Sequence, residues 1–392
     1  MMDRTRRVFA LIGLLGCALG AVPSTAQEPR LAPPETAPSP TRAEVPRNPV
    51  VQSIQKVKPG GGRVDWSVQG TTLAFDQRSE RGYYAIYTML PDGTGASCLT
   101  CPLYEFRKLH AFDPVWAPSG EYIVFTVQRN AKKLGMTAGA MTTPDRGIRS
   151  DLWIIDRTGK YYFQLTQGQQ TGLAVTTPRF SHEGGQLLWS ERVATRGGRW
   201  GQWILRVGQI NIESAVPRLK KVKDYRPAET RGFVEGHGFS PDDRRLLIAG
   251  NLEPGQSEAG MDLYLFDLAT AQRQRLTTTL GEWDQLGEFA PTGEHIAFTS
   301  NRNLPRAMPR QSSVPPSART VPRELWLMAP DGSGQQRVTF FNHPAQGDAA
   351  GNLVVADLSW SPDGDRIALQ VVNLADDTEA IYIVELDESF RR

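Results

Sequence analysis

The chain has 392 residues, with 37 glycines and 28 prolines, enough punctuation to break it into many short elements. Lysine and arginine total 44 against 42 acidic residues; three of these arginines and one aspartate fall within residues 1–26, so the remainder balances at 41 of each sign. That neutrality argues against a nucleic acid as partner, and the length suits one large β domain.

Residues 1–26 read as a secretion leader. Arg4, Arg6 and Arg7 precede an apolar run over 8–22, followed by Ser24, Thr25 and Ala26 as a small-residue cleavage site. The run is too short to span a membrane. Leu14-Leu15-Gly16-Cys17 offers a second cut, one that leaves a lipid anchor on Cys17. Because the apolar run continues beyond Cys17, cleavage after Ala26 and export to the periplasm or medium are the expectation. Residues 27–49 hold seven prolines among Ala, Glu, Ser and Thr, a solvated tether rather than a domain.

From residue 50 onward one pattern recurs. Six times an aromatic residue precedes a Ser-Pro-Asp-Gly-like turn and an apolar strand: at Trp66, Trp116, Phe180, Phe239, Phe289 and Trp360. The anchors lie 50, 64, 59, 50 and 71 residues apart, a period that fits radially repeated four-stranded units. Pro presets the φ of each turn, and Gly or Asp tolerates its left-handed corner. After each turn comes a second strand, then a third rich in β-branched and aromatic residues, such as Asp262-Leu263-Tyr264 and Glu324-Leu325-Trp326. A fourth strand carries an apolar-Thr pair at Leu99-Thr100, Leu165-Thr166, Leu276-Thr277 and Val338-Thr339; in the third repeat the basic run 220–223 takes its place. The sixth repeat runs out of chain before a fourth strand. Alternating residues 50–57 are therefore expected to pair with 381–385 and close the ring, since an open edge invites aggregation. The predicted fold is all-β: a six-bladed β-propeller of four-stranded antiparallel blades over residues 50–392, closed by an amino-terminal strand.

On these anchors and turns the chain resembles the TolB-like periplasmic propellers, built on Trp/Phe-Ser-Pro-Asp-Gly. The resemblance covers residues 50–390 in pattern and is tightest over 262–277, 324–342 and 360–370. It extends to the propeller part only, because the tether alone separates the leader from the first blade. It implies a periplasmic binding or scaffold module. Similar repeats form the gating propellers of prolyl peptidases, but no Gly-x-Ser-x-Gly elbow occurs, which sets a serine peptidase aside.

Candidate site residues are few. Five histidines are present, without His-x-His or His-Glu-x-x-His spacing. His237, in Glu235-Gly236-His237-Gly238, and His110 precede aromatic anchors and are expected near the channel mouth. Acidic residues gather before the inner strands at Asp113, Glu235, Glu282, Asp284, Glu288, Asp348 and Asp357. Converging carboxylates can take a divalent cation or basic peptide; the alternative is that they cap loops or pair with Arg63, Arg179 or Arg231. Glu282-Trp283-Asp284 has the makeup of an exposed saccharide or peptide contact, unless Trp283 packs between blades. Cys98 and Cys101 lie on a fourth strand and its exit, where a local disulfide is expected rather than thioredoxin-like chemistry. Long connections at 127–150, 191–201, 251–260, 300–323 and 340–355 all emerge on one face, which points to ligand recognition there. The expected function is non-catalytic binding of a protein or envelope glycan with no cofactor. The alternative is a propeller-type polysaccharide lyase or metal-assisted hydrolase, with a cation among the channel carboxylates.

Overall fold

The computed structural model describes residues 44–128, 150–167, 174–194, 201–212, 216–228, 233–256, 260–279, 281–304, 321–349 and 351–391. The leader and residues 27–43 of the tether lie outside them. The tether ends a little earlier than its composition suggests, because Asn48 is buried and donates to the Arg337 carbonyl at 2.6 Å.

The first strand, β1 (Val51–Pro59), stands apart from the repeat that follows it. Blade one comprises β2 (Gly61–Trp66), β3 (Leu73–Arg78), β4 (Tyr84–Met89) and β5 (Ser97–Cys98). Blade two comprises β6 (Ala111–Trp116), β7 (Tyr122–Gln128), β8 (Ser150–Asp156) and β9 (Tyr162–Gln164). Blade three is β10 (Ala174–Phe180), β11 (Gln186–Ala194), β12 (Gln202–Asn211) and β13 (Arg218–Tyr225), the last built on the basic run as expected. In blade four are β14 (Val234–Phe239), β15 (Arg245–Gly250), β16 (Asp262–Asp267) and β17 (Arg273–Arg275). Blade five has β18 (Asp284–Phe289), β19 (Ile296–Ser300), β20 (Glu324–Met328) and β21 (Gln336–Arg337). Blade six has β22 (Leu353–Trp360), β23 (Arg366–Asn373) and β24 (Thr378–Leu386). Its fourth position is filled by β1, which pairs antiparallel with β24, Ile54 opposite Val384. Each sheet is four-stranded, and every inner strand touches the inner strands of both neighbours, β2 meeting β22 to complete the circle.

The turn chemistry follows the residue types. Ser67, Ser181, Ser240 and Ser361 each accept, through Oγ, the N–H of the residue five positions on. Where the turn ends in Asp-Asp, Asp243 takes the left-handed corner at φ 55° that glycine holds elsewhere. The apolar-Thr pairs close the blades: Thr100, Thr166, Thr277 and Thr339 accept third-strand N–H groups at 2.9–3.0 Å. Three of them also donate to the carboxylate that opens or lies near the start of that strand: Asp151, Asp262 and Glu324. Between the blades the sheets bury a continuous apolar filling, for example Leu247, Leu263, Phe298 and Trp326. Among the described residues no helix is long and apolar enough to cross a membrane.

Candidate functional site

All six inner strands carry a bulge shortly before the aromatic anchor, in the intervals 61–64, 112–115, 176–179, 236–238, 285–288 and 355–357. In three blades the bulge forces a non-glycine residue to positive φ: Asp113 at 58°, Thr177 at 51° and Leu286 at 55°. Such backbone costs of order 1 kcal/mol. It turns inner-strand N–H groups away from their own ladder, and acceptors on adjoining blades capture them. Val64 N–H meets Asp357 at 3.1 Å, Asp113 N–H meets Asp76 at 3.0 Å, and Trp116 N–H meets Asp65 at 2.6 Å. Thr177 N–H meets Asp113 at 2.8 Å, Gly236 N–H meets Ser190 Oγ at 2.9 Å, and Trp360 N–H meets Glu288 at 3.3 Å. Glu235 instead accepts from the side-chain amide of Gln285. The acidic ring is thus a set of clasps between blades.

Six carboxylates, Asp65, Asp76, Asp113, Glu235, Glu288 and Asp357, share this interior with Arg63, Arg179 and Arg323. Arg63 pairs with Asp76 at 2.8 Å and Arg179 lies 3.6 Å from Asp113, so two of the expected arginine partners are in place; Arg231 lies outside the described residues. Arg323 donates to Gln285 at 3.2 Å, and burial pulls its pKa down to about 9. The excess of acid over base is met by protonation. Burial pushes Asp65 up to about 6, Glu235 and Asp357 to about 7 and Glu288 to about 8, the last also repelled by Asp65. Asp65 and Glu235 feel Asp113 in the same direction.

The candidate residues separate under this geometry. His237 is buried with its Nε2 3.9 Å from Glu235, and neither ring nitrogen has a hydrogen-bond partner. Burial, then Arg179 and Arg323, holds its pKa down to about 3, so the ring is neutral. His110 lies away from the axis: Nδ1 accepts Tyr84 N–H at 3.2 Å, Tyr83 packs on the ring, and burial with Arg78 lowers its pKa to about 4. Trp283 is a correction. It is fully buried among Phe233, Leu252, Met261 and Tyr264, with its indole donating to Gln285 at 2.6 Å, because apolar surface of that size is better buried between blades four and five than left on a rim. Asp284 is also fully buried and pairs with Arg302 at 2.6 Å. Glu282 is half-buried and offers its backbone carbonyl to Met261, so the three do not form an exposed contact. Two other histidines lie by the short turns: His182 bonds Asp243 at 3.0 Å and His295 packs on Phe390.

The channel has two unequal ends. Toward the long connections, Arg63, Asp113, Arg179, Glu235, Gln285 and Asp357 close it to a cleft of about 40 Å³. The long connections themselves lie wholly or partly outside the described residues. Toward the short turns it opens into a funnel of about 330 Å³. All six anchor aromatics wall the funnel, with Asp65, Arg179, His237 and Glu288 below them and Val68 half exposed beside them. Trp360 donates its indole N–H to the Glu288 carbonyl at 3.3 Å, whereas the buried indole nitrogens of Trp66 and Trp116 have no partner. The anchors were legible as markers of the repeat; their place in a funnel wall was not.

Solved structures share this architecture. TolB from Acinetobacter baumannii superposes with a TM-score of 0.49 at 14% identity, over 81% of this chain and 64% of that one. A protein assigned as TolB from Agrobacterium tumefaciens gives 0.50 at 15% identity, over 83% of this chain and 90% of that one. The fold is a TolB-like propeller. An oligogalacturonate lyase in complex with manganese follows at 0.47 and 13%, over 89% and 97% of the two chains. At such identities the likeness is one of fold. No family model matches the chain, and no curated protein matches it. Its length covers less than two thirds of the Acinetobacter protein.

Proposed function

We propose that this TolB-like propeller is a non-catalytic binding module that receives a polypeptide segment of a partner protein in its turn-side funnel. The supporting observation is that all six anchor aromatics, Trp66, Trp116, Phe180, Phe239, Phe289 and Trp360, wall one open cavity of about 330 Å³. Apolar side chains of such a segment fit the ring faces. A metal-assisted reaction has less support: among the described residues no three His, Cys, Asp or Glu side chains form a cation site, and each channel carboxylate already accepts from a neighbouring donor. Export, expected from residues 1–26, belongs to the same proposal.

A photo-crosslinking residue at Val68, which is 50% exposed at the funnel, tests this against one at Tyr104, 81% exposed on the loop side. Val68 is expected to capture a discrete protein from envelope extract, and Val68→Arg to abolish binding of that protein. Capture from Tyr104 alone, or of glycan without protein at Val68, overturns the reading.

A further inference from the structure

On the loop side of blade one, away from the funnel, lies a cavity of about 300 Å³, the lower end of the range that small ligands occupy. Phe106 and Tyr87 are among its walls, Arg81, Arg107 and Glu80 reach it from exposed positions, and Cys101 forms part of its lining while Cys98 does not. The two cysteines are joined in a disulfide across a separation of three residues. So short a loop is the case in which a crosslink restrains the unfolded chain least. The backbone here is held by other means: Leu99 N–H donates to the Ile86 carbonyl at 2.8 Å, and Thr100 Oγ1 accepts Ile86 N–H at 3.0 Å. Two further contacts bear on the sulfur atoms. Cys101 N–H donates to Cys98 Sγ at 3.0 Å, and the Tyr87 hydroxyl lies 3.5 Å from Cys101 Sγ, to which only the phenol has a proton to give.

We propose that Cys98–Cys101 is a thiol–disulfide exchange site for an anionic thiol that enters this cavity. The entering thiolate attacks Cys101 Sγ and forms a mixed disulfide there. The electron pair of the protein S–S bond leaves on Cys98, where the Cys101 N–H already points at the sulfur. A second thiolate attacks the mixed disulfide, releases the small disulfide and leaves Cys101 as a thiolate facing the Tyr87 hydroxyl. Two thiols are oxidised and one protein disulfide is reduced, with protons exchanged with water. Burial and Glu80 raise the Tyr87 pKa, which keeps its proton available. Two guanidinium groups against one carboxylate at the entrance select the anionic thiol.

The test uses the full oxidised chain at low salt, with 2-mercaptoethanesulfonate and 2-mercaptoethanol at matched thiolate concentration. The sulfonate is expected to react about fivefold faster, the size of a screened attraction to two nearby charges, and the advantage should shrink in high salt. Mass spectrometry after alkylation should find the adduct on Cys101 and the alkyl group on Cys98. Arg81→Ala with Arg107→Ala should bring the rate ratio close to one and leave the neutral thiol's rate unchanged. A longer acidic cysteine peptide, run beside the sulfonate, separates a protein cysteine from a small thiol as the source: a faster peptide assigns the first, an equal or slower one the second, and both support the site. Equal rates for the two small thiols on the native chain, an adduct on Cys98, or a disulfide that resists both until the protein melts overturns the proposal.

Discussion

Trp283 and Asp284 show how residue type and residue role part company. An aromatic between two carboxylates has the composition of a contact surface, yet here the indole fills the space between two blades and Asp284 neutralises Arg302. Trp283→Ala is therefore expected to destabilise the fold by about 3–5 kcal/mol through the cavity it leaves. Asp284→Ala should cost about 3 kcal/mol by stranding a buried guanidinium. Denaturant midpoints measure both, and a loss of partner binding at unchanged stability contradicts the assignment. The channel acids make a second prediction. Glu288 near 8, Glu235 and Asp357 near 7 and Asp65 near 6 all stand above their unfolded values. The folded chain thus holds more protons than the unfolded chain between about pH 5 and about pH 8, and this contribution to stability is lost as pH rises through that window. His237 and His110, near 3 and 4, act in the opposite direction, but only below about pH 6.5, where the unfolded imidazole is charged. Unfolding free energy should fall by on the order of 2 kcal/mol between about pH 6.5 and about pH 8.5, and Glu288→Gln should flatten the slope. Stability that rises over this interval refutes the protonation pattern.

The strands depend on two devices that lie outside their own ladders. One is the threonine that ends a blade. Thr277 accepts Leu263 N–H and donates to Asp262, which Arg275 holds at 2.6 Å; Thr339, Glu324 and Arg337 repeat the arrangement in blade five. Thr277→Val keeps the shape and removes both bonds, so a loss of about 1–3 kcal/mol is expected, while Thr277→Ser should retain most of the stability. Equal melting of the Val and Ser variants sinks this account. The other device is β1. Its ladder with β24 runs from Val51 opposite Leu386 to Pro59 opposite Ala380, and without it β24 becomes a free edge beside blade one. Deletion of residues 51–59 should cost several kcal/mol and promote association, read by melting and sedimentation; a truncated chain that melts like the full one is incompatible with closure by β1.

Among the described residues, the channel narrows to a charged cleft of about 40 Å³ toward one end and widens to an aromatic funnel of about 330 Å³ toward the other. The inner strands deliver bulge carboxylates and arginines to the loop side, where they satisfy each other, and leave the anchor rings around the turn side. The proposed function places binding on the short-turn side, whereas the sequence pointed to the long connections, which lie wholly or partly outside the described residues. A separate prediction concerns export: the mature protein should begin at Gln27, and intact mass of the native product tests it, a diacylated amino terminus at Cys17 being the contrary result.

Sequence alone determined the blade count, the closing strand and the four-strand repeat, because these follow from local chemistry. Aromatic anchors, Pro-Asp-Gly corners and period-2 alternation act within a few residues and are visible in order along the chain. The Cys98–Cys101 bridge was legible for the same reason, its partners being three positions apart. What the tertiary structure decided is how residues distant in the chain face each other. Whether Trp283 is exposed, which acids meet an arginine, and which end of the channel is open depend on bulges that rotate side chains by one position and on clasps between residues such as Val64 and Asp357, 293 positions apart. No local pattern encodes such a meeting; it exists only once six sheets close around one axis and burial sets the cost of every unpaired charge.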